Sequence, residues 1–346
     1  MQPFDDYFVC HGADCGVRGD CYDLVQLAMG GDFRSALRWL EAAEGVGGTV
    51  STRRSSAAIC RRGAALERER SEAWSARLEV HAQLWGTLAQ AEPSSAAERW
   101  LRQVRGLAPN VAYGVGCRDW ESSLPRLLHY LDSVALPKLR AAGLAGPDGK
   151  PWWPLGALAR GDARLRGLGI PIWLPEHDFP VAWRWRLYRP FRGVKVVAQY
   201  GAEGGWVAPP LGVGRGCADA CQPGVGRRSN GVILIAEGEP DWLTMLECAS
   251  GRAAVYGVVA TGGGWRRQWS RYLDGFERVV VFTHDTSHRL LAGVLTAMEA
   301  RFGTVEAHAR FRFHLFAEGL DANDLHRSGE LAPFVEAALE DDDVEG

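Results

Sequence analysis

The sequence has no long run of apolar residues and no amino-terminal targeting signal. Its hydrophobic stretches are short and are interrupted by charged residues, whereas a membrane-spanning helix needs about 20 consecutive apolar residues. The opening Met-Gln-Pro-Phe-Asp-Asp has neither the basic nor the hydrophobic segment of a secretory signal. We therefore expect a protein that neither spans a membrane nor is secreted.

Cysteine is also scarce, with eight residues in a chain of 346. They are too dilute for a disulfide framework, and without a secretory signal we expect them to be reduced thiols or metal ligands in the cytoplasm. The composition is 47% hydrophobic and 23% charged, which excludes a disordered or collagen-like chain. It is ordinary for a globular protein of roughly one to three domains.

Positive charge is concentrated in the middle of the chain, although the net charge is only -3. Residues 99–195 contain 16 Lys and Arg against 7 Asp and Glu, which leaves 23 basic and 35 acidic residues elsewhere. A basic region of this kind suits a polyanion such as nucleic acid. A solvated arginine-rich surface would give the same pattern.

The hydrophobic pattern divides the chain into four parts. Residues 1–45 predict a small module, and residues 58–211 predict a basic α+β lobe with helices first and strands over 169–197. Residues 231–330 alternate between strand and helix patterns, and residues 331–346 form a helix end and an acidic tail. Glycine-rich segments separate the first three parts and predict linkers.

One strand of the basic lobe has a strict alternation. Over residues 181–187, Trp183 and Trp185 share one face and Arg184 and Arg186 share the other. The tryptophan face predicts a packed side. Arg184 and Arg186, together with Arg189 and Arg192 further along, are candidates for tracking the phosphates of single-stranded DNA. A strand whose polar face simply points to solvent is the alternative.

The alternating region predicts a parallel sheet with helices on both faces. We predict strands at 231–236, 253–260, 278–283 and 304–311, and helices at 241–248, 265–273 and 289–302. In sheets of this type the chemistry lies at the carboxyl ends of the strands.

Acidic residues occur at those strand ends. Glu237 follows the first strand, Asp241 opens the next helix, Asp285 follows the third strand, and Asp321 and Asp324 follow the last. Carboxylates brought together would repel unless cations lie between them, and hard oxygen ligands select Mg²⁺ or Mn²⁺. This arrangement predicts metal-assisted phosphoryl chemistry. For Asp241, the alternative is a helix N-terminal residue favoured by the helix dipole.

Three motifs in this region resemble the Toprim domain of bacterial and phage primases. Glu-Gly-Glu-Pro-Asp at 237–241 looks like its Glu-Gly-x-x-Asp motif, residues 280–289 are similar to its Asp-x-Asp motif, and Asp-Ala-Asn-Asp at 321–324 is similar to its closing stretch. The resemblance implies that Glu237 and Asp285 are catalytic. It also implies a metal-binding set of four carboxylates: Glu237, Asp241, Asp285 and Asp321.

The resemblance to primases extends towards the amino terminus. Residues 8–24 and 33–40 look like the second half of the primase zinc ribbon and its following helices. Residues 97–107 resemble the start of the polymerase lobe, and residues 168–173 resemble its strand pair. The implied fold is a Rossmann-like Toprim lobe preceded by an α+β primase lobe and a small zinc-ribbon-like module.

The sequence departs from the family pattern at several positions. Thr283 stands where the family has the first Asp of Asp-x-Asp, and His288 stands where it has a glycine. Only nine residues precede Cys10, so the first pair of zinc ligands is absent. Cys10 and Cys15 could still bind zinc with a further Cys or His, since a structural site needs four ligands. A module held without metal is the alternative.

The resemblance implies a DNA primase, a nucleotidyltransferase of DNA replication. It would join ribonucleoside triphosphates into short RNA primers on single-stranded DNA with Mg²⁺ or Mn²⁺. Only a helix end and a short acidic tail follow the Toprim-like region, so we expect a replicative helicase to be a separate partner. Two alternatives stay open. The altered motif could mark a non-catalytic nucleic-acid-binding protein of a mobile element, and the same metal chemistry could serve a Toprim nuclease.

Overall fold

The structure is a computed structural model that describes most of the chain from residue 71 onwards and three short strands before it. The described residues are 2–4, 7–9, 18–19, 71–89, 91–199, 209–213, 231–258, 264–284, 289–317 and 319–340. The chain divides into two compact units, residues 1–72 and residues 73–346. The second unit contains the alternating region and the basic lobe from residue 73 onwards.

The first unit contains a small antiparallel sheet. Its strands are β1 (Gln2–Phe4), β2 (Tyr7–Val9) and β3 (Arg18–Gly19), paired in the order β1-β2-β3. Cys10 and Cys15 lie outside the described residues. The predicted zinc site therefore stays a prediction.

The basic lobe begins with helices that pack around tryptophan and leucine side chains. They are α1 (71–88), α2 (Ser95–Arg99), α3 (Pro109–Gly114), α4 (Leu124–Ser133), α5 (Leu136–Ala141) and α6 (Trp153–Ala159). Each of the last four has a proline in its first turn, where the missing N–H costs nothing. A π-helical turn, Trp100–Arg105, continues α2 and ends at Gly106, whose φ is 71°.

Three antiparallel strands complete this lobe. They are β4 (Gly167–Ile172), β5 (Ala182–Phe191) and β6 (Val194–Ala198), in the order β4-β5-β6. Trp183 and Trp185 are both fully buried, and their rings lie 5.3 and 5.4 Å from the ring of Trp120. The predicted packed face of β5 is confirmed.

A buried histidine in α1 gives this lobe a pH-dependent stability. His81 is completely buried with its Nε2 3.0 Å from the Ala142 carbonyl oxygen, and burial lowers its pKa from 6.5 to about 3. Between these values the unfolded chain binds the proton that the folded chain refuses. The folded state therefore loses stability as the pH falls from 6.5 towards 3.

We expect the His81→Gln variant to lose less stability than the wild-type protein between pH 7 and pH 4. The glutamine amide can donate to the same carbonyl and does not titrate. The measurement is the urea unfolding midpoint at several pH values, with the exposed His129→Gln as the matched control. Parallel pH profiles for the wild-type protein and His81→Gln would contradict the prediction.

The alternating region folds as the predicted parallel sheet with helices on both faces. Its strands, β7 (Val232–Glu237), β8 (Ala254–Val258), β9 (Arg278–Thr283) and β10 (Phe311–Leu315), pair in the order β10-β9-β7-β8 and are all parallel. The helices are α7 (Glu239–Ala249), α8 (Arg289–Phe302), α9 (Thr304–Arg310), α10 (Ala322–Ser328) and α11 (Leu331–Glu340), with a 3₁₀ helix at Arg267–Leu273. One face packs on α7, α10 and α11, and the other on α8, α9 and the 3₁₀ helix.

The predicted strand at 304–311 is wrong. Residues 304–310 form helix α9, and the last strand begins only at Phe311. Apolar residues alternate at 305, 307, 309 and 311, which resembles a strand pattern. Val305 is nevertheless 87% exposed, and the ion pair between Glu306 and Arg310 joins consecutive turns of a helix.

Within the described parts of the chain, none of the helices combines the length and the apolar character needed to cross a membrane.

Candidate active site at the carboxyl edge of the parallel sheet

The centre of the site lies where two neighbouring strands end. Glu237 is the last residue of β7 and Thr283 is the last residue of β9. The Thr283 hydroxyl donates a hydrogen bond of 3.0 Å to Glu237 Oε2. Gly238 then turns the chain into α7 with a φ of 84°, a conformation that favours glycine. A hydroxyl thus stands beside Glu237 where the family pattern would place a second carboxylate.

Asp241 and Asp321 bring further carboxylates to this edge. Asp241 lies in the first turn of α7 and is only 6% exposed, with one hydrogen bond of 3.4 Å accepted from the Asn323 backbone N–H. Asp321 caps α10 by accepting a 2.8 Å hydrogen bond from the Asp324 backbone N–H. Burial and the charges on Asp321 and Glu237 raise the pKa of Asp241 well above its usual value.

Arg105 reaches this edge from the basic lobe. Its Nη1 donates to Asn323 Oδ1 at 3.3 Å, and its carbonyl oxygen accepts from Asn323 Nδ2 at 2.7 Å. Burial and the neighbouring Arg186 lower the pKa of Arg105, whereas the charge on Asp321 acts in the opposite direction. Sequence reasoning assigned no role to Arg105 or Asn323, although both belong to motifs that resemble the primase pattern.

Glu239 links the arginine face of β5 to the start of α7. It is 4% exposed, accepts a 2.6 Å hydrogen bond from Arg184 Nε, and lies 3.6 Å from Arg186 Nη1. The side chains of Arg184 and Arg186 are only 19% and 12% exposed. Their predicted role in binding DNA stays a prediction. Sequence analysis did not single out Glu239, because nothing in the sequence shows that β5 faces α7.

Several of these side chains line one cleft of about 360 Å³. We call it the acidic cleft and define it by four carboxylates and the four cationic or titratable side chains that line it with them: Glu237, Glu239, Asp241, Asp321, Arg105, Arg186, Lys195 and His284. The structure thus brings together three of the four predicted metal-binding carboxylates. The fourth, Asp285, lies outside the described residues, as does His288.

Arg189 and Arg192 do not line the acidic cleft. Both are exposed near the turn between β5 and β6, and Arg192 has a φ of 50°. Arg189 lines a neighbouring cleft instead. Their predicted phosphate contacts stay a prediction.

The acidic cleft has the right ligand type for a hard cation. In the part of the chain that the structure describes, no three His, Cys, Asp or Glu side chains are grouped to hold an ion by themselves. Mg²⁺, however, is typically bound by one or two carboxylates together with substrate phosphates and water. Glu237, Asp241 and Asp321 supply such oxygens. Burial raises the pKa of Asp241, and the charges on Asp321 and Glu237 act in the same direction.

A substitution at Thr283 tests whether a further carboxylate in this cleft needs a cation beside it. Thr283 is 1% exposed, so the Thr283→Asp variant would place a second buried carboxylate beside Glu237. We expect it to lower the free energy of unfolding at pH 7 by about 2–4 kcal/mol, because a buried charge would lack a partner. Mn²⁺ should restore part of the loss. The measurement is the thermal midpoint with and without Mn²⁺.

Thr283→Val is the matched control, because it removes the hydroxyl without adding charge. It should cost only about 1 kcal/mol and should not gain a response to Mn²⁺. A Thr283→Asp protein that is as stable as the wild-type protein without metal would contradict this description of the cleft.

Comparison with known proteins gives a result only at the level of structure. No protein-family model matches the sequence, and no curated protein matches it. The catalytic domain of the DnaG primase bound to single-stranded DNA superposes with a TM-score of 0.56 at 15% identity, covering 78% of this chain and 80% of that one.

Two further solved structures give similar values. The RNA polymerase domain of Mycobacterium tuberculosis primase DnaG, in complex with double-stranded DNA, has a TM-score of 0.53 at 18% identity and covers 77% of this chain and 80% of that chain. The E. coli primase catalytic core has a TM-score of 0.53 at 14% identity, with 76% and 79% covered. The chain has the fold of the bacterial primase catalytic domain. The predicted Toprim-like sheet preceded by an α+β primase lobe is confirmed.

Proposed function

We propose that this protein is a primase-type nucleotidyltransferase that joins ribonucleotides into short RNA primers on single-stranded DNA. The observation that carries the proposal is the acidic cleft. In a primase fold, it collects Glu237, Asp241 and Asp321 at the carboxyl edge of the parallel sheet and lines the same space with Arg105, Arg186 and Lys195. Carboxylates that can hold a divalent cation and cations that can hold phosphates are the parts that phosphoryl transfer needs.

The residues of the chain divide between two tasks. Glu237 and Asp285 are the proposed catalytic carboxylates, and Glu237, Asp241, Asp285 and Asp321 are the proposed ligands of Mg²⁺ or Mn²⁺. The bound ion would stabilise negative charge on the reacting phosphate. Arg105 and Lys195 would hold the phosphates of the incoming ribonucleoside triphosphate. The 3′-oxygen of the growing strand would attack the α-phosphorus, pyrophosphate would leave, and Glu237 would accept the 3′-hydroxyl proton.

A second candidate function is supported by Thr283. Its hydroxyl is bonded to Glu237 at the position where the resemblance implies the first carboxylate of the Asp-x-Asp motif. A site with one carboxylate fewer would bind the second metal of a two-metal mechanism less well. This observation favours a nucleic-acid-binding protein that has lost synthesis.

The decisive experiment is primer synthesis on single-stranded DNA with labelled ribonucleotides and either Mg²⁺ or Mn²⁺. Short RNA products that require the divalent cation would support the proposal. DNA binding without products would favour the non-catalytic alternative, and shortened DNA would indicate a Toprim nuclease. Adding a replicative helicase would then test whether this predicted partner increases synthesis.

A further inference from the structure

Glu239 lines the acidic cleft, but its carboxylate pairs with two arginines. It belongs to the first turn of α7 and is 4% exposed. Its Oε1 accepts the 2.6 Å hydrogen bond from Arg184 Nε, and its Oε2 lies 3.6 Å from Arg186 Nη1. One buried carboxylate thus contacts two guanidinium groups, the first of them more closely than the second.

The two arginines differ in their access to the cleft. They share one face of β5. Arg186 lines the acidic cleft, whereas Arg184 does not. Glu239 is therefore bound closely to the arginine outside the cleft and only loosely to the arginine that a ligand in the cleft can reach.

Arg186 is incompletely paired in this arrangement. Its buried Nε has no hydrogen-bond partner in the part of the chain that the structure describes, and the same is true of the buried Nε of Arg105. Burial lowers the pKa of both arginines, and the charge on Arg186 lowers that of Arg105 further. Two guanidinium groups that repel each other and have unpaired N–H donors suit a ligand with several anionic oxygens, such as a phosphate chain.

A carboxylate and a phosphate compete for the same guanidinium group. Both offer oxygen acceptors to the N–H donors of an arginine. Like charges also repel, and this repulsion is stronger in a buried site than in water. A phosphate that binds Arg186 must therefore approach the Glu239 carboxylate or displace it from Arg186.

We propose that Glu239 is an internal counter-ion that weakens the binding of phosphate groups in the acidic cleft. It neutralises Arg184 and part of the charge on Arg186, and it repels a phosphate that approaches Arg186. The identity of these phosphates, as those of a ribonucleoside triphosphate, rests on the proposed function. The competition between Glu239 and a phosphate does not.

The test is the binding of inorganic tripolyphosphate, measured by isothermal titration calorimetry in EDTA. Glu239→Gln retains the size of the side chain and removes its charge. This variant should bind tripolyphosphate about 10-fold more tightly than the wild-type protein, because one charge within about 4–6 Å changes the equilibrium of a neighbouring charged group by roughly this factor or more. If Glu239 only fastened β5 to α7, its substitution would lower stability without raising this affinity.

The Arg184→Met/Glu239→Gln double variant tests the same competition without a change in net charge. It removes both members of the closely bonded pair, so Arg184 is not left as an unpaired buried charge. Arg186 then has no carboxylate from Glu239 beside it, and tripolyphosphate should again bind more tightly than to the wild-type protein. Glu336→Gln is the matched control. Glu336 pairs with Arg252 and does not line the acidic cleft, so its substitution should leave the affinity unchanged.

The inference is overturned if neither Glu239 variant binds tripolyphosphate more tightly than the wild-type protein, or if Glu336→Gln gains as much as they do. If the two variants differ, or if Glu239→Gln does not fold, the double variant decides, because its net charge is that of the wild-type protein. Tighter binding by these variants of a protein that makes no primers would contradict only the proposed function. Primer synthesis by a protein whose Glu239 variants bind like the wild type would overturn this inference alone.

Discussion

The Glu237→Gln variant is expected to lose primer synthesis by about 1,000-fold while it keeps its affinity for single-stranded DNA in EDTA. A bound divalent cation contributes several kcal/mol of transition-state stabilisation, and about 1.4 kcal/mol corresponds to a tenfold change in rate. Glutamine is a poor ligand for such a cation and cannot accept the 3′-hydroxyl proton. It can still accept the hydrogen bond from Thr283, so the fold should be unaffected.

Glu330→Gln is the control for this variant. Glu330 is exposed between α10 and α11 and does not line the acidic cleft. This change should therefore leave the synthesis rate close to that of the wild-type protein. The measurement is the rate of labelled ribonucleotide incorporation at saturating template. Synthesis by Glu237→Gln within a few-fold of the wild-type rate would remove Glu237 from the catalytic site.

The Trp183→Ala variant is expected to lower the free energy of unfolding by about 3–5 kcal/mol. Trp183 is fully buried, and its ring packs edge-to-face against Trp120 at 5.3 Å and lies 6.2 Å from Trp85. Its removal would leave a cavity that the rings of Trp120 and Trp85 border. We expect the loss as a lower urea midpoint, followed by far-UV circular dichroism.

Trp183→Phe should cost clearly less, because it retains an aromatic ring against Trp120. Arg184→Ala changes the next residue, on the opposite face of the same strand. It removes the ion pair with Glu239 and leaves the packing of Trp183 in place, so its effect on stability can be compared with that of Trp183→Ala. An unfolding free energy of Trp183→Ala within 1 kcal/mol of the wild-type value would contradict the assignment of this ring to the core.

Much of the fold and part of the candidate site could be predicted from the periodicity of apolar residues and from the residues at strand ends. The two-residue period of β5 is sufficient to place Trp183 and Trp185 in the core, because alternate side chains point to opposite faces. The alternation of strands and helices after residue 231 is sufficient for a parallel sheet, at whose carboxyl edge Glu237, Asp241 and Asp321 line one cleft. The same two-residue rule failed over residues 304–310, where alternating apolar residues belong to a short helix.

The interactions that complete the acidic cleft could not be predicted from periodicity. Arg184 is hydrogen-bonded to Glu239, 55 residues further along the chain, and Arg105 is hydrogen-bonded to Asn323, 218 residues further along. A strand pattern shows which side chains share a face, but it does not show which element packs against that face. The arginine face of β5 was therefore expected to be open to a nucleic acid, whereas the structure places its first two arginines beside a buried glutamate.

The acidic cleft is proposed to hold a divalent cation, with Thr283 at the position where the Toprim motif that it resembles has a carboxylate. The most direct measurement is Mn²⁺ binding by electron paramagnetic resonance, on the wild-type protein and on the Glu237→Gln/Asp241→Asn double variant. We expect the wild-type protein to bind Mn²⁺ and the double variant to lose this binding. Equal binding by both proteins, or no binding by the wild-type protein in the presence of nucleotide, would contradict it.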